Sequence, residues 1–399
     1  MADAAGAQGA QGVASDSPVT EMRRYAIERL TLTDFRSYTS LRIEAGGQPV
    51  VLTGVNGAGK TNILEAISLL VPGRGLRRAR MSELACDRGP GDWAVAAQVS
   101  TPDGKVTVGT GFVPDGPGRR ERRLVRIDGE TVSSQAELAR HMGAHWLTPQ
   151  MDRLFSDGVS ARRRFLDRLV YAWDPAHAGR VQAFEQSMRE RLKLLKERKS
   201  PDAGWLKTVE DGMAERGVAV AAARRDLIAR LAPPAAAGLG PFPGALLALQ
   251  GELDDWLDDG PALQAEDRYR SRLAADRARD QSGGRTHSGP HRTDLVVRHG
   301  AKGKAAALCS TGEQKALLIA IVLANAALRG REDGGVPVLL LDEVAAHLDE
   351  MRREALFAHL LSLGAQVWLT GTDDSLFGAF KNRAQHFEID NNGLKPNPN

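Results

Sequence analysis

Gly54-Val55-Asn56-Gly57-Ala58-Gly59-Lys60-Thr61 decides the fold. The spacing is G-x-x-x-x-G-K-[ST], in which backbone N–H groups wrap a phosphate, the lysine adds a point charge and the hydroxyl can ligate a divalent cation. Eight residues can match by chance, so the flanks matter. Ahead lies Pro49-Val50-Val51-Leu52-Thr53, an apolar run without alternation, the pattern of a strand buried on both faces. Behind it, Ile63, Leu64, Ile67 and Leu70 recur at helical spacing until Pro72-Gly73. A buried strand, a Gly-rich turn and a helix form the context in which this motif holds nucleotide phosphates. Gly54 to Gly59 are then the cradle, Lys60 reaches the β- and γ-phosphates, and Thr61 ligates Mg²⁺.

Such a loop needs a second half, and the chain offers one far downstream. Leu339-Leu340-Leu341-Asp342-Glu343 is an apolar strand ending in two acids. Alone that ending is common in α/β proteins. Beside a phosphate loop, Asp342 is placed to hold Mg²⁺ and Glu343 to polarise the attacking water. Between the two, Ser310-Thr311-Gly312-Glu313-Gln314 stands at the head of a helical stretch, where small residues and a helix N-terminus describe either an anion site or an ordinary cap.

The rest of the chain divides around these motifs. Residues 1–22, rich in Ala, Gly, Gln and Ser, read as a disordered leader, and 391–399 as a disordered tail. Residues 23–150 form the first part of an ATPase lobe, the phosphate loop plus an antiparallel β extension over 93–128. Residues 151–285 form a helical lobe: Val181, Phe184, Met188, Leu192 and Leu195 keep helical spacing, a second helix stops at Pro233-Pro234, and Leu246 to Leu257 read as a third. Residues 286–390 return to α/β and carry the Ser-Thr-Gly-Glu helix and the acidic strand.

Composition narrows the class. Of 399 residues 42% are hydrophobic and 26% charged, enough for a sizeable core. No run approaches the roughly 18 consecutive apolar residues of a membrane helix, and the first residues lack a secretory signal, so a cytoplasmic protein without a membrane partner is expected. Two cysteines, Cys86 and Cys309, are too few for a disulfide framework or a zinc cluster. A net charge of +3 means that any nucleic-acid contact must come from local clusters. Three arginine clusters stand out: Arg74, Arg77, Arg78 and Arg80 after the phosphate-loop helix; Arg119, Arg120, Arg122 and Arg123 around a hairpin turn; and Arg162-Arg163-Arg164 opening the helical lobe. The first two are the candidate DNA contacts, against the plainer reading of a solvated face. At 5% aromatic, the chain lacks the stacking residues of a single-strand binder.

The order of motifs resembles the ABC-type heads of the SMC and Rad50 proteins. Four finer stretches narrow it: Leu32-Thr33-Asp34-Phe35-Arg36-Ser37-Tyr38, Gly57 to Ile67, Arg162-Arg163-Arg164-Phe165-Leu166-Asp167, and Ser288-Gly289-Pro290-His291-Arg292-Thr293-Asp294-Leu295. Over about residues 25–390 they resemble the RecF family of DNA replication and repair ATPases. The resemblance implies an α/β P-loop ABC-type ATPase head with an inserted helical lobe. It also implies ATP and Mg²⁺ as ligands, an ATP-dependent homodimer with two shared sites, binding of double-stranded and gapped or junction DNA, and work with RecR and RecO to load RecA. On that pattern Glu343 and Lys60 are catalytic, and the nucleotide set extends to Asn62 and to Arg36 from the first strand region. Ser310, Gly312 and Glu313 meet the γ-phosphate of the opposite subunit. Asp349 lies at the dimer interface, Gln150 senses Mg²⁺, and Thr372 stands where transporter relatives carry a histidine. Slow, DNA-stimulated hydrolysis is expected. The rival readings are an ATPase of another SMC-like complex and an ATP-binding structural DNA protein with little hydrolysis.

Overall fold

Val50 to Thr53 is buried at every position, and the molecule is built around that strand. The computed structural model of the protein describes residues 24–114, 122–197, 203–332, 335–390 and 393–396. In chain order the first part contains β1 (Ala26–Phe35), β2 (Tyr38–Glu44), β3 (Val50–Thr53), α1 (Lys60–Ser68), β4 (Trp93–Thr101), β5 (Gly104–Phe112), β6 (Arg123–Ile127), β7 (Glu130–Thr131), α2 (Leu138–His141) and β8 (Ala144–Leu147). The helical lobe follows with α3 (Val159–Tyr171), α4 (His177–Glu197), α5 (Ala203–Ala237), β9 (Ala245–Gln250), α6 (Glu252–Asp259), α7 (Ala262–Ala275) and α8 (Arg277–Gly283). The last part contains β10 (Asp294–His299), α9 (Thr311–Arg331), β11 (Val338–Leu341), α10 (Glu350–Leu363), β12 (Val367–Gly371), β13 (Gln385–Asp390) and β14 (Gly393–Pro396).

Two large sheets result. One is antiparallel, in the order β2-β1-β4-β5-β6-β7, and the other runs β14-β13-β3-β12-β11-β8, parallel except for the edge hairpin β13–β14. Alternate residues of the parallel strands feed two cores, as the pleat requires. Val50, Leu52, Val338, Leu340 and Trp368 pack with Ile63, Leu64 and Ile67 of α1 against the antiparallel sheet. Val51, Leu339, Leu341, Val367 and Leu369 pack with α9, α10 and α3 on the other face. The carboxyl ends of β3, β8, β11 and β12 therefore share one edge, the place where open α/β sheets bind ligands. Helix α9 is long and apolar enough to cross a membrane by length and composition, but 67% of its apolar window is buried here as a core helix.

Four expectations need correcting. Residues Leu246 to Leu257 are not one helix. Ala245–Gln250 is strand β9, paired antiparallel with β10 from Ala245↔His299 to Gln250↔Asp294, and only Glu252–Asp259 is helical. Leucines on both faces of β9, including the exposed Leu246, hid its period of two. Because β10 completes this pair, the lobe boundary at 285 cuts through a sheet. Pro233-Pro234 does not stop α5, which runs on to Ala237. Leu227, Leu231 and Ala235 stay buried on one face through the prolines, so packing outweighs the lost N–H donors, and Gly238 at φ +70° ends the helix. Finally, Gly393–Pro396 of the expected disordered tail pairs with β13. The leader, residues 391–392 and 397–399, and Arg119 and Arg120 lie outside the described residues.

Helix α5 belongs to both cores. Its first half packs in the lobe through Leu206, Met213, Ala214 and Val218. Its second half joins the core under the parallel sheet. A buried ion pair fixes it halfway: Arg224 donates to both Asp167 oxygens at 2.8 and 2.9 Å, and His177 joins Asp167 at 2.9 Å.

Candidate nucleotide site

At the shared strand edge, β3 runs into Gly54 and the loop turns back at Gly59 to open α1. Two of its glycines are obligatory. Gly54 has φ +145°, and a Cβ there would sit 2.2 Å from the Ile389 carbonyl oxygen; Gly59 has φ +106°, and a Cβ would sit 2.6 Å from the Tyr38 hydroxyl. A Cβ on Gly57 would meet open space, so the loop is backed by β13 and the β1–β2 turn and open on its outer face. The Lys60 ammonium is folded into this loop, donating to the Gly54 carbonyl at 2.6 Å and the Val55 carbonyl at 2.9 Å. Burial pulls its pKa below the ordinary value, opposed by Glu343 and then Asp342.

The acidic pair comes from β11. Asp342 Oδ1 accepts from Thr61 Oγ1 at 2.8 Å and from Thr370 Oγ1 at 2.9 Å. Burial pushes the Asp342 carboxyl up, while the Thr61 and Thr370 bonds hold it back. The buried Asp342 carboxylate beside the Thr61 hydroxyl, with the Glu343 carboxylate next in sequence, is a set of hard oxygen donors that would suit Mg²⁺. Glu343 has φ +52°, a sparsely populated conformation for its residue type, and its N–H is held by Thr370 Oγ1 at 2.9 Å. Sequence reasoning missed Thr370. Its signal was its place at the end of a second apolar strand, which puts it in register beside the acidic one.

Several nucleotide-set residues form a network behind the loop. Asn62 donates to Ser37 Oγ at 2.9 Å and accepts from Arg77 at 2.8 Å. Arg36, at φ +54°, grips both oxygens of the buried Glu65 at 2.9 Å each. Glu65 went unnoticed because it sits one turn after Thr61 in an otherwise apolar helix. Gln150 is exposed in the 3₁₀ turn Pro149–Arg153, just after β8, which pairs in parallel with β11; it thus reaches the same edge.

The signature residues have no contact with the phosphate loop among the described residues. Ser310 caps α9 and Glu313 returns the bond, a complete capping box. Lys302 pairs with Glu313 and holds its carboxyl down to about 2. Ser310, Thr311 and Gly312 are exposed, and a Cβ on Gly312 would meet nothing. Asp349 caps α10, accepting from the Arg352 N–H at 2.8 Å, and is exposed; so is Thr372 beyond β12.

The arginine clusters separate by partner. Arg123, read as a DNA contact, is instead an internal cap: its guanidinium donates to the Leu69 carbonyl, the Gly73 carbonyl and Gln135 Oε1, the last two at 2.7 and 2.8 Å, beyond the end of α1. Burial without a carboxylate pushes its pKa down to about 10. Arg77 is tied to Asn62 and, at 3.1 Å, to Glu65. Arg162 holds Asp294 with two bonds at 2.7 and 2.8 Å, and Arg163 reaches the Thr293 carbonyl and Ser160. Arg74, Arg78, Arg80, Arg122 and Arg164 remain exposed. Burial, then the charges of Arg164 and Arg74, lower the Arg78 pKa.

Comparison with known proteins shows the family and the fold. Residues 26–391 match the RecF/RecN/SMC N terminal domain. A DNA replication and repair protein RecF from Mesorhizobium japonicum is 49% identical over 373 residues, covering 93% of this chain and 97% of that protein. One from Agrobacterium fabrum is 47% identical, covering 93% and 98%. Among solved structures, the recombination mediator protein RecF-ATPrS of the RecFOR pathway superposes with a TM-score of 0.81 at 22% identity, over 94% of this chain and 99% of that one. A Pyrococcus furiosus Smc head domain gives 0.54 at 17% identity, over 94% and 96%.

Proposed function

The chain belongs to the RecF/RecN/SMC N-terminal domain family and within it to the RecF proteins of DNA replication and repair, and from that premise we propose that it is an ATP-gated DNA clamp. Two copies close on two shared nucleotides, hold duplex or gapped DNA in recombinational repair with RecR and RecO, and reopen after slow, DNA-stimulated hydrolysis.

One observation carries this reading. The phosphate loop and the acidic pair are complete and joined within one chain, whereas Ser310, Gly312 and Asp349 stand exposed with no contact to that loop among the described residues. Large apolar side chains left open flank all three parts: Val55 in the loop is 69% exposed, Leu308 just before Ser310 is 65% exposed, and Met351 just after Asp349 is 65% exposed. Apolar side chains exposed beside half-sites fit burial against a second copy.

ATP, the substrate, would supply the anhydride, and Mg²⁺ would supply positive charge against the phosphates. The chain's own residues do the rest. The amides of Gly54 to Thr61 bind the phosphates, and Lys60 exchanges the loop carbonyls for phosphate oxygens. Thr61 and Asp342, with Gln150 at the edge, would hold the cation. Glu343 takes the proton from water. Ser310 and Gly312 present the α9 N-terminus to the other copy's site, and Arg36 and Asn62 brace the loop from behind.

Size-exclusion chromatography of wild type and Glu343→Gln, with and without ATP–Mg²⁺ and a gapped duplex, tests this. Glu343→Gln should lose roughly 10²- to 10³-fold in turnover and accumulate an ATP-dependent dimer that retains DNA. A variant that stays monomeric and ignores DNA under every condition leaves only a single-chain nucleotide binder.

A further inference from the structure

Near the end of β12 a hydroxyl stands where an aliphatic side chain would pack. Thr370 is 1% exposed, and the three strand residues before it, Val367, Trp368 and Leu369, are apolar and buried. Valine would fill nearly the same space without a polar atom to satisfy. The Thr370 hydroxyl serves the acidic pair twice: it donates to Asp342 Oδ1 at 2.9 Å and accepts the Glu343 N–H at 2.9 Å. One side chain of β12 thus holds two consecutive residues at the exit of β11, one by its carboxylate and the other by its backbone.

Each bond constrains something different. The ladder of β11 ends at Leu341, paired with Leu147 on one side and Leu369 on the other. Beyond it the Asp342 N–H still reaches β8, donating to the Leu147 carbonyl at 2.9 Å. The next N–H, that of Glu343, turns to the opposite neighbour and meets the Thr370 hydroxyl in place of a main-chain carbonyl. Glu343 has φ +52°, a conformation that costs free energy for a residue with a long side chain and persists only where its surroundings hold it. The donated bond acts on Asp342. Thr61 and Thr370 both end on Oδ1, at 2.8 and 2.9 Å, so the carboxylate is gripped from α1 and from β12 at once. It cannot rotate without straining both bonds.

We propose that Thr370 is a positioning residue for hydrolysis: its hydroxyl holds the Glu343 backbone in the left-handed conformation and the Asp342 carboxylate against Thr61, so that the water-activating and cation-holding acids keep one relative geometry. Thr370 acts only through these two residues. Without the hydroxyl, Glu343 relaxes toward a commoner backbone conformation and Asp342 keeps Thr61 alone. Phosphate binding by the loop amides and Lys60 is untouched. This rests on the reading of Glu343 as the residue that takes the proton from water and of Asp342 as a holder of Mg²⁺.

The full chain carrying Thr370→Val, Thr370→Ala or Thr370→Ser, beside Glu343→Gln, decides it. Thr370→Val deletes the hydroxyl and keeps the shape, Thr370→Ser keeps the hydroxyl, and Thr370→Ala gives the same comparison as valine should a methyl not fit beside the carboxylate. Measured for each are kcat and KM for ATP at saturating Mg²⁺, and binding of a fluorescent non-hydrolysable ATP analogue in EDTA and across a Mg²⁺ series. Thr370→Val and Thr370→Ala should bind the analogue in EDTA within about twofold of wild type. They should need about 10-fold more Mg²⁺ for half-maximal effect and lose about 10- to 100-fold in kcat at nearly unchanged KM, and Thr370→Ser should restore both to within about threefold. Wild-type kcat and Mg²⁺ requirement in Thr370→Val, with Glu343→Gln inactive, overturns the proposal and leaves the clamp standing. Loss of analogue binding in EDTA, or a loss in Thr370→Ser as deep as in Thr370→Val, makes the position structural and overturns it as well. Wild-type turnover in Glu343→Gln removes the reading of Glu343 on which the proposal rests.

Discussion

The loop that opens α1 and the turn that opens α9 are both helix N-termini with glycine and a hydroxyl residue, yet they end up in opposite conditions. Around Lys60 nearly every group is answered by the chain itself: the ammonium by loop carbonyls, Thr61 by Asp342, Asp342 by Thr370. Around Ser310 the capping box satisfies the helix end, and Ser310, Thr311 and Gly312 face solvent. The arginines divide in the same way. Arg36, Arg77, Arg123 and Arg162 are spent on internal carboxylates and carbonyls. Arg74, Arg78 and Arg164 are exposed. What a chain satisfies internally holds its fold; what it leaves open is available to another copy or to DNA.

Ser310→Asp attacks the open side hardest. Aspartate caps a helix as well as serine does, so α9 should keep its end and the melting temperature should barely move. Its carboxylate, however, would face an incoming phosphate. ATP-dependent dimerisation should disappear and turnover fall roughly 100-fold, while single-chain nucleotide binding persists. A Ser310→Asp protein that dimerises normally by light scattering would mean that this turn serves only as a cap.

Arg123→Met tests the closed side. It strips a charged donor from several carbonyls past the end of α1 and should cost about 3 kcal/mol in chemical denaturation. Because Arg123 faces inward, duplex binding by the folded fraction should not change. Weakened DNA binding at unchanged stability would return Arg123 to the surface role that its sequence neighbours first suggested.

Both halves of the site were legible as motifs because phosphate and Mg²⁺ chemistry restricts residue type and spacing at once. The parallel sheet was legible for a related reason: strands buried on both faces, such as Val338–Leu341, have few other readings. Two kinds of feature were hidden. Strand β9 carries leucine on its exposed face, so no alternation survived, and its partner β10 lies beyond three helices. The fates of the arginines depend on tertiary partners. Nothing within Arg162-Arg163-Arg164 tells that the first meets Asp294, the second the Thr293 carbonyl, and the third solvent. Thr370 and Glu65 act only through contacts formed across the fold.

That triplet supplies the finest test of the comparison. Arg164→Gln removes one exposed charge from the Arg74–Arg78–Arg164 group. Duplex affinity should drop about two- to fivefold at moderate salt and the log–log salt slope should shrink by about 1, because one phosphate contact releases about one counterion. Stability should stay within about 0.5 kcal/mol. Arg162→Gln, two residues away, should do the reverse. It leaves Asp294, whose side chain is 23% exposed, without its two-bond partner. That should cost about 1 to 2 kcal/mol of stability with the salt slope intact. Measuring both variants by fluorescence anisotropy across a salt series separates the two outcomes. Equal slope changes would mean that the bond to Asp294 breaks when DNA arrives, and that the boundary between the chain's internal and external charges moves with the ligand.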